Sequence, residues 1–132
     1  MVEEIKVNNE KLLIKSAERG NLETVKLLLD VGVDVHAQED YSIFIAASNG
    51  HNEIVELLIK AGAVVDVDDN APLYVAVSAG NKETVKILMD YGADIDVVAN
   101  KIKNNWGKDS VSYKYICELR NEIIKKDRGM ER

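Results

Sequence analysis

Six glycines constrain what this chain can fold into more than any other feature of its 132 residues. Gly20, Gly50 and Gly80 stand 30 residues apart, and so do Gly32, Gly62 and Gly92. Between them run Asn21-Leu22-Glu23-Thr24-Val25-Lys26-Leu27-Leu28, His51-Asn52-Glu53-Ile54-Val55-Glu56-Leu57-Leu58 and Asn81-Lys82-Glu83-Thr84-Val85-Lys86-Ile87-Leu88. Five columns of the 30-residue unit are identical in all three copies. Ordinary residue usage gives a three-way identity in on the order of 0.005 of columns, so the period reflects a structural repeat.

Each unit reads as two short helices. The first covers Lys11–Arg19, Tyr41–Asn49 or Ala71–Ala79 and ends on a glycine that turns the chain. Asn21, His51 or Asn81 opens the second, where His51 is read as a structural capping residue. In the second helices Val25, Leu28 and Leu29 form an apolar stripe at helical spacing, widened by Leu27, and Val55, Leu57, Leu58, Ile59 and Val85, Ile87, Leu88, Met89 repeat it.

The run Ile45-Ala46-Ala47-Ser48-Asn49-Gly50-His51-Asn52-Glu53-Ile54-Val55-Glu56-Leu57-Leu58-Ile59-Lys60-Ala61-Gly62-Ala63 resembles the ankyrin repeat almost residue for residue, and Ala71-Pro72-Leu73-Tyr74-Val75-Ala76 resembles its Thr-Pro-Leu-His-x-Ala start. The resemblance covers about residues 10–97. It implies an all-α solenoid of stacked helix-turn-helix units forming a single domain. Repeat 1 with an N-terminal cap takes about residues 8–37, repeat 2 takes 38–67, repeat 3 takes 68–97, and 98–132 is a divergent C-terminal capping repeat. Three residues fewer than the usual 33 are lost from the β-hairpin finger, so Gln38-Glu39-Asp40 and Asp68-Asp69-Asn70 should make short, plain turns in its place. Lys11, Tyr41 and Ala71 replace the motif's Thr, and Ile14, Phe44 and Tyr74 its His, so the family's usual hydrogen bonds between loops are not to be expected.

A terminal unit needs a polar outer face. Lys15 stands where Ile45 and Val75 stand in the inner units, and Ser110–Lys126 reads as a final amphipathic helix capped by Asp109 or Ser110, with Tyr113, Ile116, Cys117, Arg120, Ile123 and Ile124 at helical spacing. Such caps weigh against a structural fragment of a larger ankyrin protein, whose repeat faces would be bare. Lys101–Lys108 does not align with the repeat, leaving a distorted first helix or an insertion open, and the role of Trp106 undecided.

Chemistry is sparse. The sequence has no Gly-rich phosphate loop, no Gly-x-Ser-x-Gly, no His-Glu-x-x-His and no paired cysteine, so no enzyme and no cofactor is expected. Cys117 lies on an apolar stripe and reads as a small buried hydrophobe in a reducing, cytoplasmic compartment, and His36 as a solvated loop residue. Asp66-Val67-Asp68-Asp69 lacks the glycine and terminal Glu of a calcium loop, and no metal is expected there. No apolar stretch approaches the ~20 residues that span a bilayer, and the N-terminus lacks a signal pattern.

The net charge of −6 hides an asymmetry. Residues 1–97 carry 8 Lys and Arg against 18 Asp and Glu, whereas 98–132 carry 9 against 5. The acidic body argues against direct nucleic-acid binding. Acidic turns side by side either keep the chain soluble or form an edge for a basic partner. In the family the first helices line a concave binding face, which here carries Tyr41, Phe44 and Tyr74. The resulting expectation is a monomeric, non-catalytic adaptor or stoichiometric inhibitor that binds a protein partner. Its candidate contacts are Glu39, Asp40, Tyr41, Phe44, Ser48, Asp68, Asp69, Asn70, Tyr74 and Ser78. An immunity-type or host-targeting factor that masks a basic, nucleic-acid-binding site is the alternative. If 98–132 is a cap, its deletion bares the third unit's apolar face with Val75, Val85 and Leu88 behind it, and the product should aggregate or lose cooperative stability. A soluble monomer of 1–97 with an unchanged melting temperature would make the tail an appendage.

Overall fold

A computed structural model of the chain describes residues 2–127. Among them are eight helices and no strand: α1 (Val2–Arg19), α2 (Leu22–Asp30), α3 (Ala37–Ser48), α4 (Asn52–Lys60), α5 (Val67–Ser78), α6 (Lys82–Asp90), α7 (Ile95–Trp106) and α8 (Val111–Asp127). The odd-numbered helices pack in sequence as one layer, α1 on α3, α3 on α5, α5 on α7, and α2, α4 and α6 form the second. The last helix, α8, rests on α7 and α5.

The 30-residue period places equivalent side chains in equivalent environments. Val25, Val55 and Val85 are fully buried, as are Leu58 and Leu88, with Leu28 nearly so. They share one continuous core with Leu13, Ile43 and Leu73 of the first helices. The expected stripe is too wide at one point: Leu27 is 64% exposed, because no unit packs against that side of α2, whereas the equivalent Ile87 is buried. The same end exposes Leu12, so the polar outer face anticipated from Lys15 is only partial.

Two polar ladders run along the stack, one at each end of the helix pairs. At the end where first and second helices join, His51 donates from Nε2 to the carbonyl of Glu18 in the preceding unit (2.9 Å), and Asn81 donates from Nδ2 to Ala47 (3.3 Å) and Ser48. His51 therefore joins units and makes no side-chain cap, whereas Asn21, with no unit before it, accepts from Thr24 N–H. Gly20 is required here. Its φ is +78°, and a Cβ would stand 2.7 Å from the His51 ring.

The second ladder is built on the shortened turns, which are not plain. Gln38, Glu39 and Asp40 take φ of 53°, 58° and 61°, and Asp68, Asp69 and Asn70 take 50°, 53° and 63°. Each triplet is one left-handed turn, a conformation that costs a non-glycine residue roughly 1–2 kcal/mol and that Asp and Asn tolerate best. The third residue of each turn holds it in place. Asp40 Oδ1 accepts from the Val64 N–H (3.1 Å), and Asn70 Oδ1 from the Asp94 N–H (2.8 Å), so each turn is tied to the loop 24 residues on. Hydrogen bonds between loops, not expected from the altered motif, are thus present on other residues. Beyond the second turn the right-handed part of α5 begins, and Pro72 falls in its first turn, where a missing N–H costs nothing.

The unaligned segment proves to be a first helix out of register. Asp94 caps α7 by accepting from Asp96 N–H (2.9 Å), so the helix starts at once, without a left-handed turn, and runs through the boundary drawn between residues 97 and 98. Ser110 Oγ accepts from Tyr113 N–H to start α8. The buried positions of α8 are Ile116 and Leu119 rather than the wider stripe expected, because it packs mainly on α7 and α5. Cys117 is half-buried, Ile124 is exposed and Arg120 pairs with Asp96 (3.3 Å).

Leu58→Ala should cost about 2–5 kcal/mol by chemical denaturation, as for other fully buried leucines. A loss under about 1 kcal/mol contradicts the packing of α4. Asp40→Ala should cost about 1–3 kcal/mol by stranding the Val64 N–H, while Asp40→Asn, which copies Asn70, should cost under about 1 kcal/mol. Equal losses for the two variants would rule out the side-chain acceptor as the tie.

Candidate protein-binding face

The candidate residues divide into two neighbourhoods and a buried remainder. Glu39, Asp68 and Asp69 occupy the left-handed turns with exposed side chains, Asp34, Asp66 and Asp94 are exposed in the loops that precede or follow them, and Asp96 is exposed in the first turn of α7. Among the described residues none of Glu39, Asp68 and Asp69 enters an ion pair. Asp40 and Asn70 do not belong to this edge. They are 5% and 6% exposed and committed to the loop ties, so their reading as partner contacts is corrected. Asp40 also accepts from His36 Nδ1 (2.9 Å), so His36, an exposed loop residue, is a partner of the tie as well. No three of His, Cys, Asp and Glu among the described residues converge as metal ligands would.

The second neighbourhood lies on the first-helix layer. Tyr41 and Phe44 on α3 stack with centroids 5.6 Å apart, Tyr41 being 39% exposed and Phe44 half-buried. The stack follows from their spacing, since residues three apart on a helix are neighbours. Tyr74, at the position equivalent to Phe44, meets a different group. Trp106 Nε1 donates to its hydroxyl (3.0 Å), and Lys101 Nζ stands 5.4 Å above its ring. The Trp106 bond, aided by Asn105, Lys101 and Ser78, draws the Tyr74 phenol below its usual value against the opposing effect of partial burial. Ser48 is half-buried and Ser78 exposed on the same helices.

Trp106 is 68% exposed although its N–H is engaged, so its ring presents an apolar plane to solvent. The sequence left it unassigned, and Lys101 and Asn105 were missed, because the segment that holds all three does not align with the 30-residue register. The signal lay in Asp94-Ile95-Asp96, an N-cap followed by an acidic first turn, which starts α7 early and brings its last turn to Tyr74. The arrangement offers exposed aromatic planes, hydroxyl groups and a neighbouring row of carboxylates.

A family model of ankyrin repeats, in three copies, matches residues 12–99. A search of curated proteins returned no match to the chain. Ankyrin repeats are generally protein–protein interaction modules and typically non-catalytic, and with the match spanning most of its length this chain belongs to the ankyrin-repeat family.

Proposed function

We propose that this protein is a cytoplasmic, non-catalytic adaptor or stoichiometric inhibitor that grips one partner protein with the first-helix face and the acidic turn edge together. The observation that carries the reading is the pairing of exposed aromatic rings, Tyr41 and Trp106, with the carboxylates of Glu39, Asp68 and Asp69, which enter no ion pair among the described residues, on helices of the same layer. Aromatic rings supply large contact area at small entropic cost and are enriched among the residues that dominate interfaces. Exposed carboxylates in a row raise the encounter rate with a basic partner. A partner whose basic surface binds nucleic acid is favoured within this reading by the same row, which would mask that surface.

Affinity capture from the source cell with mass spectrometry identifies the partner, and surface-plasmon kinetics then test the division of labour. Association should slow steeply as salt shortens the screening length from ~10 Å at 0.1 M to ~3 Å at 1 M, with dissociation changing less. The double variant Asp68→Lys, Asp69→Lys should slow association and leave stability within about 0.5 kcal/mol. Tyr41→Ala and Trp106→Ala should act on dissociation instead, since interface anchors set the off-rate. Salt-independent association, with the reversed variant binding as well as the parent, would reduce the carboxylates to solubility devices.

A further inference from the structure

One junction of the stack gathers a cation and hydrogen-bond donors around a single hydroxyl. Tyr74 and Ser78 stand one turn apart on α5, Lys101 and Asn105 one turn apart on α7, and the two helices pack against each other. Four polar side chains therefore meet at one place, with Trp106 at its rim. Trp106 Nε1 donates to the Tyr74 hydroxyl oxygen (3.0 Å), which leaves the hydroxyl hydrogen free to donate outward, and Lys101 Nζ stands 5.4 Å from the ring centroid. Lys101 is half-buried, yet among the described residues it enters no ion pair.

The electrostatics of this junction are opposite in sign to those of the turn edge. The bond from Trp106, helped by Asn105, Lys101 and Ser78, holds the Tyr74 phenol below its usual value against partial burial, so the surroundings favour negative charge at the hydroxyl. No carboxylate is among the groups that act on it. A half-buried ammonium group has lost part of its hydration, and an anion placed beside it makes up that loss. The junction one unit earlier lacks these features, because Phe44 stands in place of Tyr74 and stacks on Tyr41. Asp69 lies five residues before Tyr74 on the same element, roughly 8 Å at a helical rise. Carboxylates and a cation therefore stand as neighbours on one surface.

We propose that the junction of Tyr74, Ser78, Lys101 and Asn105 receives a carboxylate side chain of the partner protein, whose contact segment is of mixed charge, with basic residues against Asp68 and Asp69 and an Asp or Glu beside them. This carboxylate site rests on the protein-binding reading above and adds an acidic half to what the partner must carry. Lys101 supplies the charge, the Tyr74 O–H and Asn105 Nδ2 donate to the carboxylate oxygens, and the Trp106 plane packs on the side chain's stem. A purely basic segment would set like charge against Lys101, so the junction also selects against it.

The test is a heteronuclear NMR titration of the full chain with capped synthetic peptides. One peptide carries two lysines and, three residues on, a glutamate, an extended spacing of roughly 10 Å that reaches from the turn edge to the junction. The second has glutamine in place of the glutamate. The glutamate peptide should move the Trp106 indole and Asn105 side-chain amide signals and bind about 5-fold tighter than the glutamine peptide, the upper range for a partly exposed ion pair. Lys101→Gln, which keeps most of the stem, should abolish that preference, and Tyr74→Phe, which keeps the ring, should reduce it. Equal affinity of the parent for both peptides overturns the proposal, as does a preference that survives Lys101→Gln or an absence of movement in both signals at millimolar peptide. Failure of the wider reading has a different signature, since both peptides would then bind the double variant Asp68→Lys, Asp69→Lys as well as the parent. Inorganic phosphate alone, if it saturates the same signals at micromolar concentration, makes this a free-anion site and overturns the docking of a partner side chain.

Discussion

The fold depends on one constraint, that each unit must tie its two loop ends to its neighbours while its helices bury a shared core. A solenoid unit cannot hide its own apolar faces. Stacking hides them only if successive units keep one register, and two polar ladders hold that register here. At one end His51 and Asn81 reach back to backbone carbonyls of the unit before. At the other Asp40 and Asn70 accept N–H groups from the loop ahead. Between the ladders Val25, Val55, Val85 and their neighbours fill the same space three times.

The left-handed turns show how a lost hairpin is replaced. With three residues fewer than the usual unit, there is no length for a projecting finger, and the chain reverses its handedness over three residues instead. The conformation is costly for the Gln, Glu and Asp residues that adopt it. It also turns the side chain of the third residue inward, onto the next loop, and leaves the others outward. The device that secures the stack therefore creates the acidic edge, with Asp40 and Asn70 inside and Glu39, Asp68 and Asp69 outside.

Much of this was legible in the sequence, for physical reasons. Glycine spacing and apolar periodicity report backbone handedness and burial directly, so the helix pairs, the core positions Val55 and Leu58 and the family followed from them. The inward turn of Asp40 and Asn70 was hidden, since an acidic turn looks the same in sequence whichever way its carboxylates point. Trp106 was hidden by a register shift, because α7 omits the turn that sets the phase of the other units. Leu27 was misplaced for a related reason. Period alone cannot distinguish an inner unit from one with a bare side.

The proposed binding face combines what the repeats share with what the last helices add. Tyr41 and Phe44 come from the repeat, whereas Trp106 and Lys101 come from the divergent segment and reshape the surroundings of Tyr74. All of them are held at defined positions only while the units stay in register, so the ladders that stabilise the stack also fix the geometry of the proposed binding face. Native-state hydrogen exchange tests this most directly. If side-chain acceptors carry the turn ladder, the Val64 and Asp94 amides exchange only through the opening that exposes the helix core, with protection matching that of Val55 and Val85. Exchange of those two amides at the rate of an open loop would contradict the account.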